Sequence, residues 1–261
     1  MIQAIEERRS IRKFSDREIS EEDLREILES GIKAPSSKNR QPWKFIVLRK
    51  NAKREMVAIF KKGIEREEKG AALLPESRMH LAGARYTAQI AAQAPVVILA
   101  VNTLGKGPLA DLTAEERVYE ICNIQSVSAA IENMLLAAAQ KRIGSLWICD
   151  TYFAYEELNQ WKGTPGDLIA AIALGYPEEA PGPRPRKTLE GIKNHERKGP
   201  SVLGTYCAIT AAPPTSCTEA ESGIQTPRRT TGILWRKRWP RCRLQRNPQP
   251  GPGHLPGQGP A

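Results

Sequence analysis

The chain has 261 residues, of which 40% are hydrophobic, and a formal net charge of +10. It is long and apolar enough to form one large domain or two small ones with a buried core. The charge alone is weak evidence for nucleic-acid binding, because it is uneven: residues 199–261 hold eight Lys or Arg against two Glu.

Apolar spacing predicts helices and strands over residues 1–176. Helical patterns cover 1–7, a segment that opens at Ser20 in capping-box form, 53–68, 120–141 and 155–161. Apolar runs predict strands at 43–48, 95–102, 144–150 and 168–176. The region of roughly 63–85 has no readable signature. This order favours a central sheet wrapped by helices. The helix over 120–141 has little polar surface, which is typical of a central helix or a subunit interface.

The composition changes near residue 198. Residues 199–261 contain ten of the twenty prolines and eight of the twenty glycines, without helical or strand periodicity. We therefore expect one folded domain, 1–197, and a disordered Pro/Gly/Arg-rich tail, 198–261. The aromatic and basic residues 235–239 could bind nucleic acid, but a solvated basic tail is the favoured interpretation.

The features that the sequence lacks predict where the protein is located and whether it binds a metal. It has no apolar run of membrane-spanning length and no signal sequence, so we expect a cytoplasmic protein without membrane contact. The five cysteines show no CxxC or Cys/His spacing, so we expect neither disulfides nor a bound metal. Cys149 is expected to be a buried strand residue, with a redox thiol as the alternative.

Two basic segments could bind an anion. The first contains Arg8, Arg9, Ser10 and Arg12, and its guanidinium groups suit phosphate oxygens. Its alternative is a solvated surface paired with the preceding glutamates. The second contains Arg184 and Arg186, which alternate with prolines and so point to one side; its alternative is a solubilising linker. The sequence has no GxGxxG turn after a strand and no P-loop, so side chains must hold any phosphate.

The loop over residues 34–43 is rich in polar groups and proline. Its donors and acceptors could bind the edge of a heterocycle, and they are Ser36, Ser37, Asn39 and Gln41. Pro35 and Pro42 stiffen the loop, which lowers the entropy lost on binding. The alternative is an ordinary turn. The sequence offers no serine with a histidine base and no paired carboxylates for hydrolysis, so a cofactor would have to supply the chemistry.

Several motifs together resemble the nitroreductase family of flavoproteins. They are RRSIRKF at 8–14, APSSKNRQPWKFIV at 34–47, APVVIL at 94–99, LIAAIALGYP at 168–177 and PRPRKTLE at 183–190. The resemblance covers residues 1–197. It implies an α+β, nitroreductase-like, FMN-dependent fold with a central mixed β-sheet wrapped by helices. It also implies an intertwined homodimer that is joined through the long helix, with FMN at each of two interface sites.

The resemblance also implies roles for the polar residues. The residues that contact FMN from one subunit would be Arg8, Arg9, Ser10 and Arg12, with Arg184 and Arg186 closing over the phosphate. From the partner subunit, Pro35, Ser36, Ser37 and Asn39 would approach the flavin ring, and Gln41 would stabilise that loop. The backbone of residues 148–150 would lie near flavin N5.

The implied activity is a ping-pong reaction. NADH or NADPH would reduce the flavin at N5, and the reduced flavin would then reduce a nitroaromatic, a quinone or a similar electron-poor acceptor. Because the chemistry occurs on FMN, no side chain is assigned a catalytic role. Arg12 or Arg8 would stabilise the anionic reduced flavin. The alternative is a flavin-binding or flavin-handling protein without nitroreductase turnover.

Overall fold

The fold is centred on a four-stranded sheet whose two middle strands are buried along their whole length. The computed structural model describes residues 2–70 and 72–192. The strands are β1 (Trp43–Leu48), β2 (Val96–Asn102), β3 (Gly144–Ile148) and β4 (Asp167–Gly175), in the spatial order β1-β2-β4-β3. Every residue of β2 and β4 is buried, because helices cover both faces of these continuous apolar runs.

The α+β class is confirmed, but the strand pairing differs from the predicted mixed sheet. All three pairings of the described strands are antiparallel; Ile98 of β2, for example, lies opposite Ile172 of β4. The helix α5 (Ala114–Gln140) connects β2 to β3, and these strands run in the same direction. They do not pair because β4 lies between them. An isolated parallel bridge joins Ser10 to Ser145.

One face of the sheet is covered by α5 and α2 (Glu21–Ile32). Ile27 of α2 and Met134 of α5 are fully buried in this layer, in the same apolar cluster as Ile98 and Ile172. The Ser20 side chain caps α2 by accepting a hydrogen bond from the backbone N–H of Asp23 at 3.0 Å, as the sequence predicts. A short helix, α1 (Gln3–Glu7), precedes this layer.

The opposite face is covered by α3 (Lys50–Lys69), α4 (Leu81–Gln93) and α6 (Tyr155–Trp161). Short 3-10 helices form at Ser37–Asn39, Pro75–His80 and Asp150–Ala154, and a final turn, α7, covers Leu189–Ile192. Phe60 of α3 and Leu158 of α6 lie in one apolar cluster with residues of β2 and β4. The sheet is therefore enclosed between two helical layers.

Besides the short 3-10 helices and α7, two longer helical segments were not predicted. The first is α4, whose buried residues include Leu81, Ala84, Ala88 and Ala91. Their spacing is helical, but alanine gives little contrast in hydrophobicity. The second is the first part of α5, predicted to begin near residue 120. It begins at Ala114 because Thr113 and Glu116 form a complete capping box.

The 3-10 helix Asp150–Ala154 packs closely against α3. A Cβ placed on Gly63 would lie 2.3 Å from the Cβ and 2.4 Å from the Cα of Ala154. Nearby, the guanidinium of Arg66 binds Glu157 of α6 at 2.6 Å and the buried carboxylate of Glu67 at 2.8 Å. Helix α3 thus holds the segment that follows β3 by both packing and charge.

None of the described helices is long and apolar enough to cross a lipid bilayer. The predicted boundary at residues 197 and 198, and the basic aromatic residues 235–239, lie outside the described residues. The two-part organisation therefore stays a prediction.

Candidate functional site

The two predicted basic segments meet at one pocket of about 360 Å³, which we call the arginine pocket. Its walls are formed by Ile5, Glu6, Arg8, Arg9, Ser10, Arg12, Glu132, Pro181, Gly182, Pro183, Arg184 and Arg186. The structure thus brings together side chains from opposite ends of the described chain. All six basic-segment residues that the sequence singles out line this pocket.

Backbone hydrogen bonds hold the N-terminal side of the pocket between two other segments. The N–H of Ile11 donates to the carbonyl of Ser145, at the start of β3, at 2.9 Å. The N–H of Ser15 donates to the backbone carbonyl of Tyr176 at 2.9 Å. The N–H of Glu178 donates to the carbonyl of Lys13 at 3.0 Å. The segment after β4 therefore runs alongside residues 13–15.

A glutamate that sequence reasoning missed adds to this pairing. Oε1 of Glu179 accepts hydrogen bonds from the backbone N–H of Arg12 and, at 3.2 Å, from that of Lys13. No local sequence pattern marks this role, because Glu179 and Arg12 are 167 residues apart in the chain.

The charge of the arginine pocket is positive, since five arginines and two glutamates line it. Nε of Arg8 lies 3.7 Å from Oε1 of Glu132. Arg9 donates to the carbonyl of Glu6, and Arg12 donates to that of Ser10 at 3.1 Å. Each guanidinium has five N–H donors, so these contacts leave capacity for a ligand. The donor set fits a phosphate, which accepts several charge-assisted hydrogen bonds.

The loop over residues 34–43, called the polar loop below, has a backbone fixed by its own side chains. Oγ of Ser36 accepts from the N–H of Gln41 at 3.0 Å, and the side chain of Gln41 donates to Asn39 at 3.2 Å. Lys38, Asn39 and Gln41 have φ angles of 54°, 52° and 49°. Non-glycine residues adopt this region uncommonly, although asparagine does so more readily than most. Lys50 and Arg142 do so elsewhere in the described chain, so the loop is distinguished by having three such residues close together.

The polar loop and the arginine pocket lie at different levels of α5. The N–H of Ser37 donates to Oγ of Ser126 at 3.1 Å, whereas Glu132, six residues later, lines the arginine pocket. This spacing is about 9 Å along the helix axis. Of the described residues, none from the polar loop lines the arginine pocket. One subunit therefore carries two separate groups of predicted FMN-binding residues.

A buried acidic cluster lies behind the polar loop. The carbonyl of Pro42 accepts from the N–H of Thr103 at 2.7 Å and from its hydroxyl at 3.0 Å. The neighbouring residue Asn102 is fully buried and donates to Oε1 of Glu120 at 3.2 Å. The hydroxyl of Tyr155 donates to the buried carboxylate of Asp167. These residues are distant in sequence, and the sequence alone did not suggest them.

Burial changes the proton affinity of this acidic cluster. It raises the pKa of Glu120, and the negative charge of Asp167 adds to the increase. It also raises the pKa of Asp167, although the hydrogen bond from Tyr155 opposes this. Each carboxyl group thus holds its proton to a higher pH than it would in water.

The segment predicted to lie near flavin N5 differs from expectation. The strand predicted over 144–150 ends at Ile148, because a 3-10 helix begins at Asp150. Cys149 is exposed, so the prediction of a buried cysteine was wrong. Partial desolvation of its thiol raises the pKa of Cys149, and the charge of Asp150 adds to this effect. Both effects disfavour the thiolate form, which is the reactive form of cysteine.

A family model, named proteins and solved structures all relate this chain to the same family. The model of the nitroreductase family matches residues 5–176. A protein of Archaeoglobus fulgidus, provisionally named NADH dehydrogenase/NAD(P)H nitroreductase, is 36% identical over 178 residues, covering 66% of this chain and 82% of the relative. The crystal structure of a provisionally named nitroreductase from Desulfovibrio desulfuricans, in complex with FMN, is 29% identical. It matches with a TM-score of 0.56 over 75% of this chain and 95% of that chain. A BluB-like flavoprotein from Clostridium difficile 630, 24% identical, shares the fold at a TM-score of 0.55 over 74% of this chain and 96% of its own.

Proposed function

The chain belongs to the nitroreductase family of FMN-dependent oxidoreductases, and we propose that it acts as a homodimer with one FMN at each of two interface sites. Its electron donor is NADH or NADPH. Its acceptor is a nitroaromatic, a quinone or a similar electron-poor small molecule, reduced by a ping-pong mechanism. The cytoplasmic location predicted from the sequence belongs to the same proposal.

The observation that carries this proposal is the arginine pocket. It combines Arg8, Arg9 and Arg12 with Arg184 and Arg186 around a volume of about 360 Å³. A phosphate group accepts several charge-assisted hydrogen bonds, and the planar guanidinium groups can donate two at a time to its oxygens. The FMN complex of the relative from Desulfovibrio desulfuricans agrees with this ligand class.

A dimer is supported by the separation of the two groups of binding residues and by the surface of α5. Val118 and Ile121 have exposed fractions of 57% and 49%, and Ser128 and Ala129 are half-buried. Small and apolar residues on one helix face suit close packing against a second copy. In such a dimer the polar loop of one subunit completes the site formed by the arginine pocket of its partner.

Each part of the chain then has a distinct task. When bound, FMN would supply the redox chemistry between the nicotinamide donor and the acceptor. The arginine pocket binds and orients the phosphate end. The residues of the partner's polar loop that approach the ring are Pro35, Ser36, Ser37 and Asn39, and Gln41 stabilises that loop. Arg12 or Arg8 stabilises negative charge at the ring edge.

The direct test is an absorbance spectrum of the purified full chain, before and after anaerobic addition of NADH or NADPH. We expect a flavin spectrum that bleaches with the donor and returns when a quinone or nitroaromatic is added. A flavin spectrum that does not bleach would favour the flavin-handling alternative. A colourless monomer that does not bind added FMN would refute the proposal.

A matched pair of arginine variants tests the site itself. Arg12→Ala is expected to weaken FMN binding about ten-fold, since it removes charged donors. Arg25→Ala is the control, because this side chain is 80% exposed on α2 and pairs with Glu29 of its own helix. Equal FMN affinity of the two variants would contradict the assignment of Arg12.

A further inference from the structure

Glu179 connects the two segments that supply the arginines of the pocket. Its Oε1 accepts from the backbone N–H groups of Arg12 and Lys13. It belongs to the segment that follows β4 and continues to Arg184 and Arg186. One carboxylate therefore joins the N-terminal half of the pocket to its C-terminal half.

Proline restricts the stretch between Glu179 and the second pair of arginines. Pro181, Pro183 and Pro185 lie in it, and each proline ring fixes its φ angle. Gly182 lies among them and has no such restriction. Arg184 is only five residues from Glu179, so holding Glu179 limits the positions that Arg184 can reach.

The carboxylate of Glu179 contacts backbone rather than a guanidinium group. Among the described residues, its hydrogen-bond donors are the N–H groups of Arg12 and Lys13. Glu179 does not line the arginine pocket but an adjoining one, and Arg8, Arg9 and Pro181 line both pockets. Glu179 therefore lies next to the arginine pocket and fixes the backbone of one of its arginines.

We infer that Glu179 is a positioning residue for the phosphate end of the cofactor. It fixes the backbone at Arg12 and Lys13 and so sets how Arg184 and Arg186 face Arg8 and Arg12. The inference rests on the proposed function, because it concerns the FMN phosphate. It predicts that the hydrogen-bonding reach of residue 179, rather than its charge, determines the affinity for FMN.

Three variants of the full-length protein distinguish an effect of the side-chain length at position 179 from an effect of its charge. Glu179→Gln keeps an oxygen at the same distance but loses the charge. Glu179→Asp keeps the charge but is one methylene shorter. Glu178→Ala is the matched control: Glu178 is exposed, and its bond to the carbonyl of Lys13 comes from the backbone N–H, which alanine retains.

The measurement is flavin binding by fluorescence titration of protein freed of cofactor, with FMN and with riboflavin, which lacks the phosphate. We expect Glu179→Asp to raise the Kd for FMN about ten-fold and the Kd for riboflavin by a clearly smaller factor, about three-fold or less, because riboflavin keeps only the contacts with the ring and the ribityl chain. Glu179→Gln and Glu178→Ala should bind FMN within about three-fold of the wild type.

Several results would overturn the inference. Equal losses of FMN and riboflavin affinity in Glu179→Asp, with a lower melting temperature, would show a general structural role. Tighter FMN binding in Glu179→Gln with no change in Glu179→Asp would show a purely electrostatic one. Unchanged affinity in both would refute the positioning role while the proposed function stands. A wild type that binds neither flavin would refute the proposed function itself.

Discussion

Replacing Gly63 with alanine adds one methyl group where α3 meets the 3-10 helix that follows β3. The new Cβ would lie 2.3 Å from the Cβ and 2.4 Å from the Cα of Ala154. Carbon atoms in contact are about 3.5–4.0 Å apart, so the two elements would have to separate by about 1 Å. The Cα belongs to the backbone, so a side-chain rotation cannot relieve this clash.

The expected magnitude is the balance of two effects. Alanine is favoured over glycine in a helix by up to about 1 kcal/mol. Inserting a methyl group into a close-packed site costs about 1–3 kcal/mol, and a backbone clash belongs at the upper end. We therefore expect Gly63→Ala to lower the free energy of unfolding by about 1–2 kcal/mol, which corresponds to about 2–8 °C in melting temperature for a domain of this size.

The control is Gly83→Ala in α4. A Cβ on Gly83 meets no atom within 4 Å, so only the helix preference remains and the melting temperature should rise by up to about 4 °C. Thermal unfolding of both variants, followed by circular dichroism without added flavin, compares them directly. If Gly63→Ala proved as stable as the wild type, or if Gly83→Ala lost as much, the steric reasoning would be wrong.

Three further perturbations act through charge. Glu132→Gln removes the carboxylate that faces Arg8, so FMN should bind up to about five-fold more tightly in a titration; weaker binding would contradict this. Burial raises the pKa of Glu120 above its ordinary value of 4.5, so the stability that this group contributes is present at low pH and is lost as the pH rises through the folded-state pKa. Glu120→Gln should accordingly lose less stability than the wild type as the pH rises above about 4.5, as measured by urea midpoints; parallel pH profiles would exclude this role. Arg66→Met leaves the carboxylate of Glu67, which is 1% exposed, without its cation, so the free energy of unfolding should fall by about 3–5 kcal/mol. A urea-measured loss below about 1 kcal/mol would show that the pair is unimportant.

Much of the fold could be predicted because strongly apolar runs admit few structures. The strand Trp43–Leu48 and the helix Tyr155–Trp161 begin and end where the sequence places them. Helix α4 escaped prediction because alanine occupies most of its buried positions. The antiparallel pairing also could not be derived, since it depends on β4 lying between β2 and β3 rather than on any local pattern.

The residues of the candidate site also fall into those that the sequence could predict and those that it could not. The arginines and the polar loop are visible in the sequence because they occur in short, unusual clusters. The roles of Glu179 and Glu120 are not visible, since each depends on a partner brought close only by folding. A lone glutamate in a sequence is by default a solvated residue. The exposure of Cys149 was missed for a related reason: the turn that ends β3 has no glycine or proline to mark it.

The long helix α5 contacts three of the regions described above at regular intervals along its length. Glu120 belongs to the acidic cluster, Ser126 holds the polar loop, and Glu132 lines the arginine pocket. Successive members are six residues apart, so they are spaced about 9 Å along a single rigid rod. A screw displacement of that rod would alter all three regions at once. A substitution elsewhere on α5 that displaces the helix would therefore change the geometry of the acidic cluster, the polar loop and the arginine pocket together, although it alters none of their own residues.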